Sequence, residues 1–206
     1  MAAINYPALP PANRLSGKEV IGDESYCLAT VQEFWEWAYS NVNDNASRGR
    51  LAEFIVAKAL GCANGTRREW DPFDLEWNGI KIEVKSSGFI QTWAQRDLSR
   101  PLFDIKPTRC WSVESGEFEE ELRRQADIYV FCLENCKNQE VGNPNPLDLD
   151  QWDFLVLATE QLNSLGSQKS VSYGRLIEIG ARQVIDIQEL PQVIMEVANI
   201  MSSKDQ

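Results

Sequence analysis

There is no histidine among the 206 residues. That absence removes the Ser-His and Cys-His nucleophile pairs, imidazole general-base chemistry and every histidine metal site. Any hydrolytic chemistry must rest on carboxylates, lysine and a metal ion. No apolar run approaches the ~20 residues of a membrane-spanning helix, so no membrane partner is expected. The first residues, MAAINYPALPPANRLSG, carry neither the basic region nor the apolar stretch of a signal peptide, and the expected location is cytoplasmic. Cysteine is sparse and unpatterned: five residues, an odd number, which fits reduced thiols rather than a disulfide framework. Cys132 and Cys136 are the only close pair. No second pair accompanies them, so no zinc site is expected, and Cys132 lies in an apolar run that reads as core.

Positive charge is also short. The net charge is −11, which argues against strong sequence-independent binding to duplex phosphates. The deficit is uneven: residues 1–110 hold 13 Lys/Arg against 14 Asp/Glu, and residues 111–206 hold 7 against 17. The first half is close to neutral and carries Arg48, Arg50, Arg67, Arg68, Arg96, Arg100, Lys106 and Arg109, enough for a local basic surface.

What is present centres on DPFDLEWNGIKIEVKSS, Asp71 to Ser87. Asn78-Gly79 is a strong signal for a two-residue type I′ hairpin, which needs positive φ at both central positions. With Trp77 and Ile80 flanking the turn, Leu75 faces Ile82 and Asp74 faces Glu83. Side chains alternate between faces with period two. One face then reads Phe73, Leu75, Trp77, Ile80, Ile82, Val84; the other reads Asp74, Glu76, Lys81, Glu83, Lys85. Like charges directly opposite each other are destabilising unless a cation sits between them, and opposed β-carbons lie about 5 Å apart. Two carboxylates so placed suit one hard divalent cation, with Lys85 beside it. Glu76 faces Lys81 and is expected to pair with it. Asp71 falls on the apolar parity and ranks below Asp74 as a ligand.

Asp74 followed by Glu83-Val84-Lys85 on the next strand resembles the PD-(D/E)xK signature of the restriction-endonuclease-like nucleases. The string IEVKSSGFIQTW is similar to a group of bacterial proteins with the same core, over roughly residues 48–181. The family's first core helix carries a lone acid, as Glu53 does here. The resemblance implies an α/β fold, a central mixed β-sheet flanked by helices. It implies Mg²⁺ or Mn²⁺ held by Asp74, Glu83, the Val84 carbonyl and Glu53, Lys85 orienting or activating water, and DNA as the partner. Ser86, Gln91 and Trp93, just past the lysine, and Arg48 are candidate substrate contacts, and a structural role for each stays open. Cutting both strands of a duplex close together would imply a homodimer; no feature marks a dimer surface. The alternative is an inactive nucleic-acid- or protein-binding module on the same fold.

The rest of the chain reads as one domain, 26–206, behind an irregular arm, 1–25. Thr30–Tyr39 reads as an amphipathic helix with Thr30 as N-cap and Val31, Phe34, Trp35 and Ala38 as core. Arg48–Leu60 is a second helix, apolar nearly all round and so buried, closed by Gly61. Glu53 on it needs a cation: the metal, or an arginine such as Arg50. Pro101–Trp111 reads as a strand and Phe118–Gln125 as a short charged helix. Ala126–Leu133 and Trp152–Ala158 are apolar strands of the kind buried on both faces. Thr159 begins a short helix, 170–180 contains another helical turn, and Asp186–Met201 ends the chain as a helix. Pattern alone leaves α/β and α+β both open.

Overall fold

The computed structural model describes Tyr6 and residues 9–67, 71–112, 116–140 and 142–202. In chain order the elements are β1 (Val20–Gly22), β2 (Cys27–Thr30), α1 (Val31–Tyr39), α2 (Asn45–Ala59), β3 (Leu75–Trp77), β4 (Ile80–Gly88), β5 (Leu102–Asp104), β6 (Thr108–Ser112), β7 (Glu117–Arg123), β8 (Ile128–Glu134), β9 (Trp152–Ala158), α3 (Thr159–Asn163), β10 (Ser170–Ser172), α4 (Tyr173–Glu178), β11 (Arg182–Val184) and α5 (Leu190–Ser202). Five strands form one sheet in the order β11-β9-β8-β4-β3. β4 and β8 are parallel and the other neighbours antiparallel, so the sheet is mixed, as the α/β expectation required.

The two apolar strands make the sheet's centre because each can bury both faces. Ile128, Val130 and Cys132 of β8 join Phe154 and Val156 of β9 in a core that α2 closes with Ala52 and Val56, and α5 with Leu190 and Ile194. The alternate residues Tyr129, Phe131, Leu155 and Leu157 enter a second core, closed by Leu162 of α3, Leu176 of α4 and Phe103 of β5. Each fully buried Leu, Ile or Val is worth about 1.5–3 kcal/mol over its exposed state, which is why these two strands set the layer order. No helix among the described residues is long and apolar enough to cross a membrane.

Helix α2 starts three residues before its expected first residue. The polar stretch before Arg48 contains Asp44, whose carboxylate accepts from the N–H groups of Ala46 and Ser47 and caps the helix. Its other end is as expected: Gly61 takes φ +69°, the left-handed conformation that ends helices. Thr30 caps α1 with a reciprocal bond from Glu33.

Four expectations fail, each for a physical reason. Residues 117–123 form β7 rather than a helix: EFEEELR alternates, and pairing with β6 brings the Trp111 and Phe118 rings edge to face, 4.7 Å between centroids. Pro101–Trp111 is two strands, β5 and β6, divided at Lys106-Pro107 because β5 turns away to pair with β10. The aromatic residues of α1 are not core: no residue of α1 is buried, and Trp37 is 85% exposed. The arm is not wholly irregular, since β1 pairs with β2.

Candidate active site

The β3–β4 hairpin has the register read from its turn: Trp77 opposite Ile80, Glu76 opposite Lys81, Leu75 opposite Ile82. Asn78 and Gly79 both take positive φ, +51° and +77°. The hairpin forms one edge of the sheet. Alternation sends Ile82 and Val84 into the core under α2. Glu83 and Lys85 go to the opposite face, beside Tyr129 and Phe131, their neighbours on β8. Glu76 and Lys81 face each other as expected, and the Lys81 ammonium lies 5.6 Å from the centre of the Phe73 ring.

The ladder stops at Leu75, so Asp74 is not a strand partner of Glu83. Its N–H donates to Ile82 O at 3.1 Å, and its Oδ2 accepts from the Val84 N–H at 2.8 Å. The carboxylate takes the place that the next backbone carbonyl of β3 would fill. The carbonyl of Val84 points to the same edge as its N–H, so it lies on the Asp74 side of β4. Past the end of β3 the alternation lapses as well: Phe73 packs into the second core while Leu75 packs into the first.

Asp74 is half-buried and its carboxyl is pushed up to about 7. Burial is the largest cause, followed by the negative charges of Glu83 and Glu53. The Val84 N–H and the Lys85 ammonium pull the other way. Lys85 Nζ lies 2.5 Å from Glu83 Oε1. Burial alone would depress that ammonium, but Glu83, then Asp74 and Asp104, hold it above its usual range. Four of the predicted site residues thus converge electrostatically on one edge.

They do not form a preassembled cage. Among the described residues no three Asp, Glu or Cys side chains stand grouped to hold a metal ion. Glu53 rides on α2, which covers the opposite sheet face from Glu83, and it is engaged by Arg67: Nε to Oε2 is 2.5 Å and Nη2 to Oε1 is 2.9 Å. The cation foreseen for Glu53 is therefore supplied by Arg67 and not by Arg50, whose guanidinium lies 5.8 Å from the centre of the Tyr39 ring. Glu53, Arg67 and Asp74 share a groove of about 540 Å³ with Arg14, Arg50 and Phe54. Asp71 lines it too. Glu83 and Lys85 instead line a separate cavity of about 60 Å³ with Asp104, Lys106, Gln125 and Tyr129. Asp74 sits where the two approach.

The four candidate substrate contacts lie elsewhere. Arg48 is only 4% exposed and sits beside the fully buried Glu134, whose charge opposes the drop that burial imposes on the guanidinium. Ser86 faces α2 at Gly49. Gln91 Nε2 donates to Gly88 O at 2.9 Å, a loop brace. Trp93 is exposed. None of them lines the groove or the cavity.

Sequence reading missed Asp104, Tyr129 and the role of Arg67. A signal for the first existed: Asp104-Ile105-Lys106 repeats the acid-x-lysine spacing of Glu83-Val84-Lys85. Tyr129 and Arg67 have none, because only the fold brings them to the hairpin.

No curated protein and no solved structure matches the chain. The family model described as bacteriophage T4 endonuclease IV matches residues 29–173, a span that holds α2, the hairpin and the two central strands. With well over half its length matched, and with the acid–lysine hairpin inside the match, the chain belongs to the bacteriophage T4 endonuclease IV family, a family of nucleases.

Proposed function

We propose that the protein is a metal-dependent endonuclease of the PD-(D/E)xK type that hydrolyses phosphodiester bonds in DNA. The observation that carries this reading is the Asp74 carboxyl, held at a sheet edge by the Val84 N–H and driven up to about 7 by burial, Glu83 and Glu53. Such a site holds more negative charge than its own lysine offsets. Its donors are carboxylate and carbonyl oxygens, the set that hard divalent cations take. Asp74, Glu83 and the Val84 carbonyl would hold Mg²⁺ or Mn²⁺. Glu53 would join them when Arg67 releases it.

A bound divalent cation would supply charge stabilisation on a phosphodiester and a more acidic water. The side chains do the rest. Glu83, Asp74 and Asp104 favour the charged form of Lys85, which suits it to donate to a phosphoryl oxygen and to orient the attacking water. Glu83 fixes the Lys85 ammonium at 2.5 Å and so sets where that donor points. Asp74 is locked in orientation by Val84. Arg67, freed from Glu53, is within the same groove as Asp74 and can pair with substrate phosphate. The substrate would be DNA; the family's description names an endonuclease.

The test is cleavage of supercoiled plasmid, single-stranded DNA and RNA with Mg²⁺, Mn²⁺ or EDTA, beside Asp74→Ala and Lys85→Ala. Cutting that needs metal and is lost in both variants sustains the proposal. Cutting that survives both variants refutes the hairpin as the site. No cutting and no metal binding that depends on Asp74 would favour the inactive binding module.

A further inference from the structure

The cavity beside Glu83 is bordered by a tyrosine hydroxyl that no described residue bonds. Tyr129 is 4% exposed, its ring stacked on Phe131 at 5.8 Å, and its hydroxyl has no hydrogen-bond partner among the described residues. That hydroxyl is not one of the fully enclosed unpaired atoms, which among the described residues are Arg48 Nε and both Glu134 oxygens; it is open to whatever enters the cavity. The space it borders is about 60 Å³, several times the ~10–15 Å³ that one water needs on the same kind of measure. The walls are two like pairs. Lys85 is held by Glu83 at 2.5 Å, and Lys106 by Asp104 at 2.9 Å. Asp104 also accepts from the Lys106 backbone N–H at 3.0 Å, so the second pair is braced at both ends.

The segment carrying it is fixed from behind. Ile105 is buried in the second core, its N–H donates to Lys169 O at 2.9 Å, and its carbonyl accepts from the buried Arg124 Nε at 2.8 Å. Asp104 and Lys106, one on each side of Ile105, are thereby turned together toward the cavity. The available donors are then two ammonium groups and a phenol hydroxyl. Both carboxylates are already matched by the lysine two residues further on. Among Lys85, Lys106 and the Tyr129 hydroxyl an anionic oxygen group need displace nothing, and it gives Tyr129 an acceptor.

We propose that this cavity is a phosphate subsite, in which the Tyr129 hydroxyl and Lys106, positioned by Asp104, bind a backbone phosphate of the nucleic acid next to the hairpin. It rests on the nuclease reading of Asp74, Glu83 and Lys85 and names further residues for it. Tyr129 and Lys106 are contact residues; Asp104 is a positioning residue.

The test is fluorescence anisotropy with labelled single- and double-stranded DNA oligonucleotides in the Asp74→Asn background, where binding is read without cleavage. Adding Tyr129→Phe, which removes only the hydroxyl, should raise Kd about tenfold, the loss of one hydrogen bond to a charged group. Lys106→Ala should do the same, and Lys106→Arg should restore most of it. Lys106→Ala should also lower the slope of log Kd against log salt by about one, and Tyr129→Phe should not. Because both hold one phosphate, the double variant should lose less than the product of the single losses. Parent-like affinity in both single variants, or no DNA binding by the background protein, overturns the proposal. If the wild type cuts as proposed but affinity ignores Tyr129 and Lys106, the subsite is wrong and the nuclease reading stands. If no cutting occurs while affinity depends on both residues, the subsite stands and the nuclease reading is wrong.

Discussion

Replacing Asp74 by Asn should stabilise the metal-free protein, increasingly as pH rises from about 4 and in full above about neutral pH. In the unfolded chain the carboxyl titrates near 3.8, and in the fold it is raised to about 7. Between those values the folded state holds the proton and the unfolded state does not, so stability falls as pH rises through the window and the penalty is complete above it. The shift is roughly three units at 1.36 kcal/mol each, which sets a ceiling of about 4 kcal/mol. Water and the Lys85 ammonium at the site reduce what is realised, and a gain of at least ~1 kcal/mol is expected, or about 2–4 °C in Tm for a chain of this size. Asn keeps an amide oxygen to accept from Val84 N–H, so the bond at 2.8 Å need not be lost. The assay is thermal and urea unfolding of both proteins in EDTA from pH 4 to pH 8.5. The two curves should meet near pH 4, separate between pH 4 and 7, and run parallel above. Mg²⁺ at pH 8 should raise the Tm of the wild type and leave Asp74→Asn nearly unmoved, because a ligand stabilises only the state that binds it. A variant that is less stable at pH 8.5, or a separation that does not change with pH, would refute the account of why Asp74 is raised.

Glu53→Gln should narrow that pH-dependent gap, since Glu53 is one of the two charges that raise Asp74; the same unfolding series checks it. Arg48→Ala should cost about 1–3 kcal/mol in urea unfolding, because the Arg48 charge opposes the effect of burial on Glu134, whose oxygens have no hydrogen-bond partner among the described residues. Gly88→Ala should destabilise by about 1–3 kcal/mol, as its Cβ would meet Glu134 Oε2 at 2.9 Å and Arg48 Nη1 at 3.1 Å. Trp37→Ala should change stability by less than about 0.5 kcal/mol, the range of exposed positions; a larger loss in urea unfolding would restore the view of α1 as core.

The parts of this fold that could be read from sequence are those fixed by local chemistry or by exclusion. Asn78-Gly79 dictates a turn, the turn dictates a register, and the register places Glu83 and Lys85 together on one face. β8 and β9 are apolar at nearly every position, which only a strand buried on both sides tolerates. The misreadings arise where partners are distant or missing. EFEEELR has the charge of a solvated helix, and it becomes a strand because β6 supplies Trp111 for Phe118 to pack on. The aromatic side of α1 has the spacing of a core helix, yet no layer of the described chain covers it.

Glu53 shows the limit most clearly. Its helix, its solitary charge and its need for a cation were all legible, and the conclusion that it faces the same side of the sheet as Glu83 did not follow. The polar face of the hairpin and the helix carrying Glu53 lie across the sheet from each other. They communicate only because β3 ends at Leu75 and leaves Asp74 at the edge, turned to Val84. A hairpin paired one residue further would have put Asp74 in register with Glu83, as the turn alone predicts, and closed that edge with backbone hydrogen bonds. The early end of β3 is therefore what opens the site: it leaves Asp74 between the groove that holds Glu53 and Arg67 and the cavity that holds Lys85 and Tyr129. Periodicity cannot foresee it, because the departure consists of a side-chain carboxylate replacing a backbone carbonyl as the acceptor for one N–H.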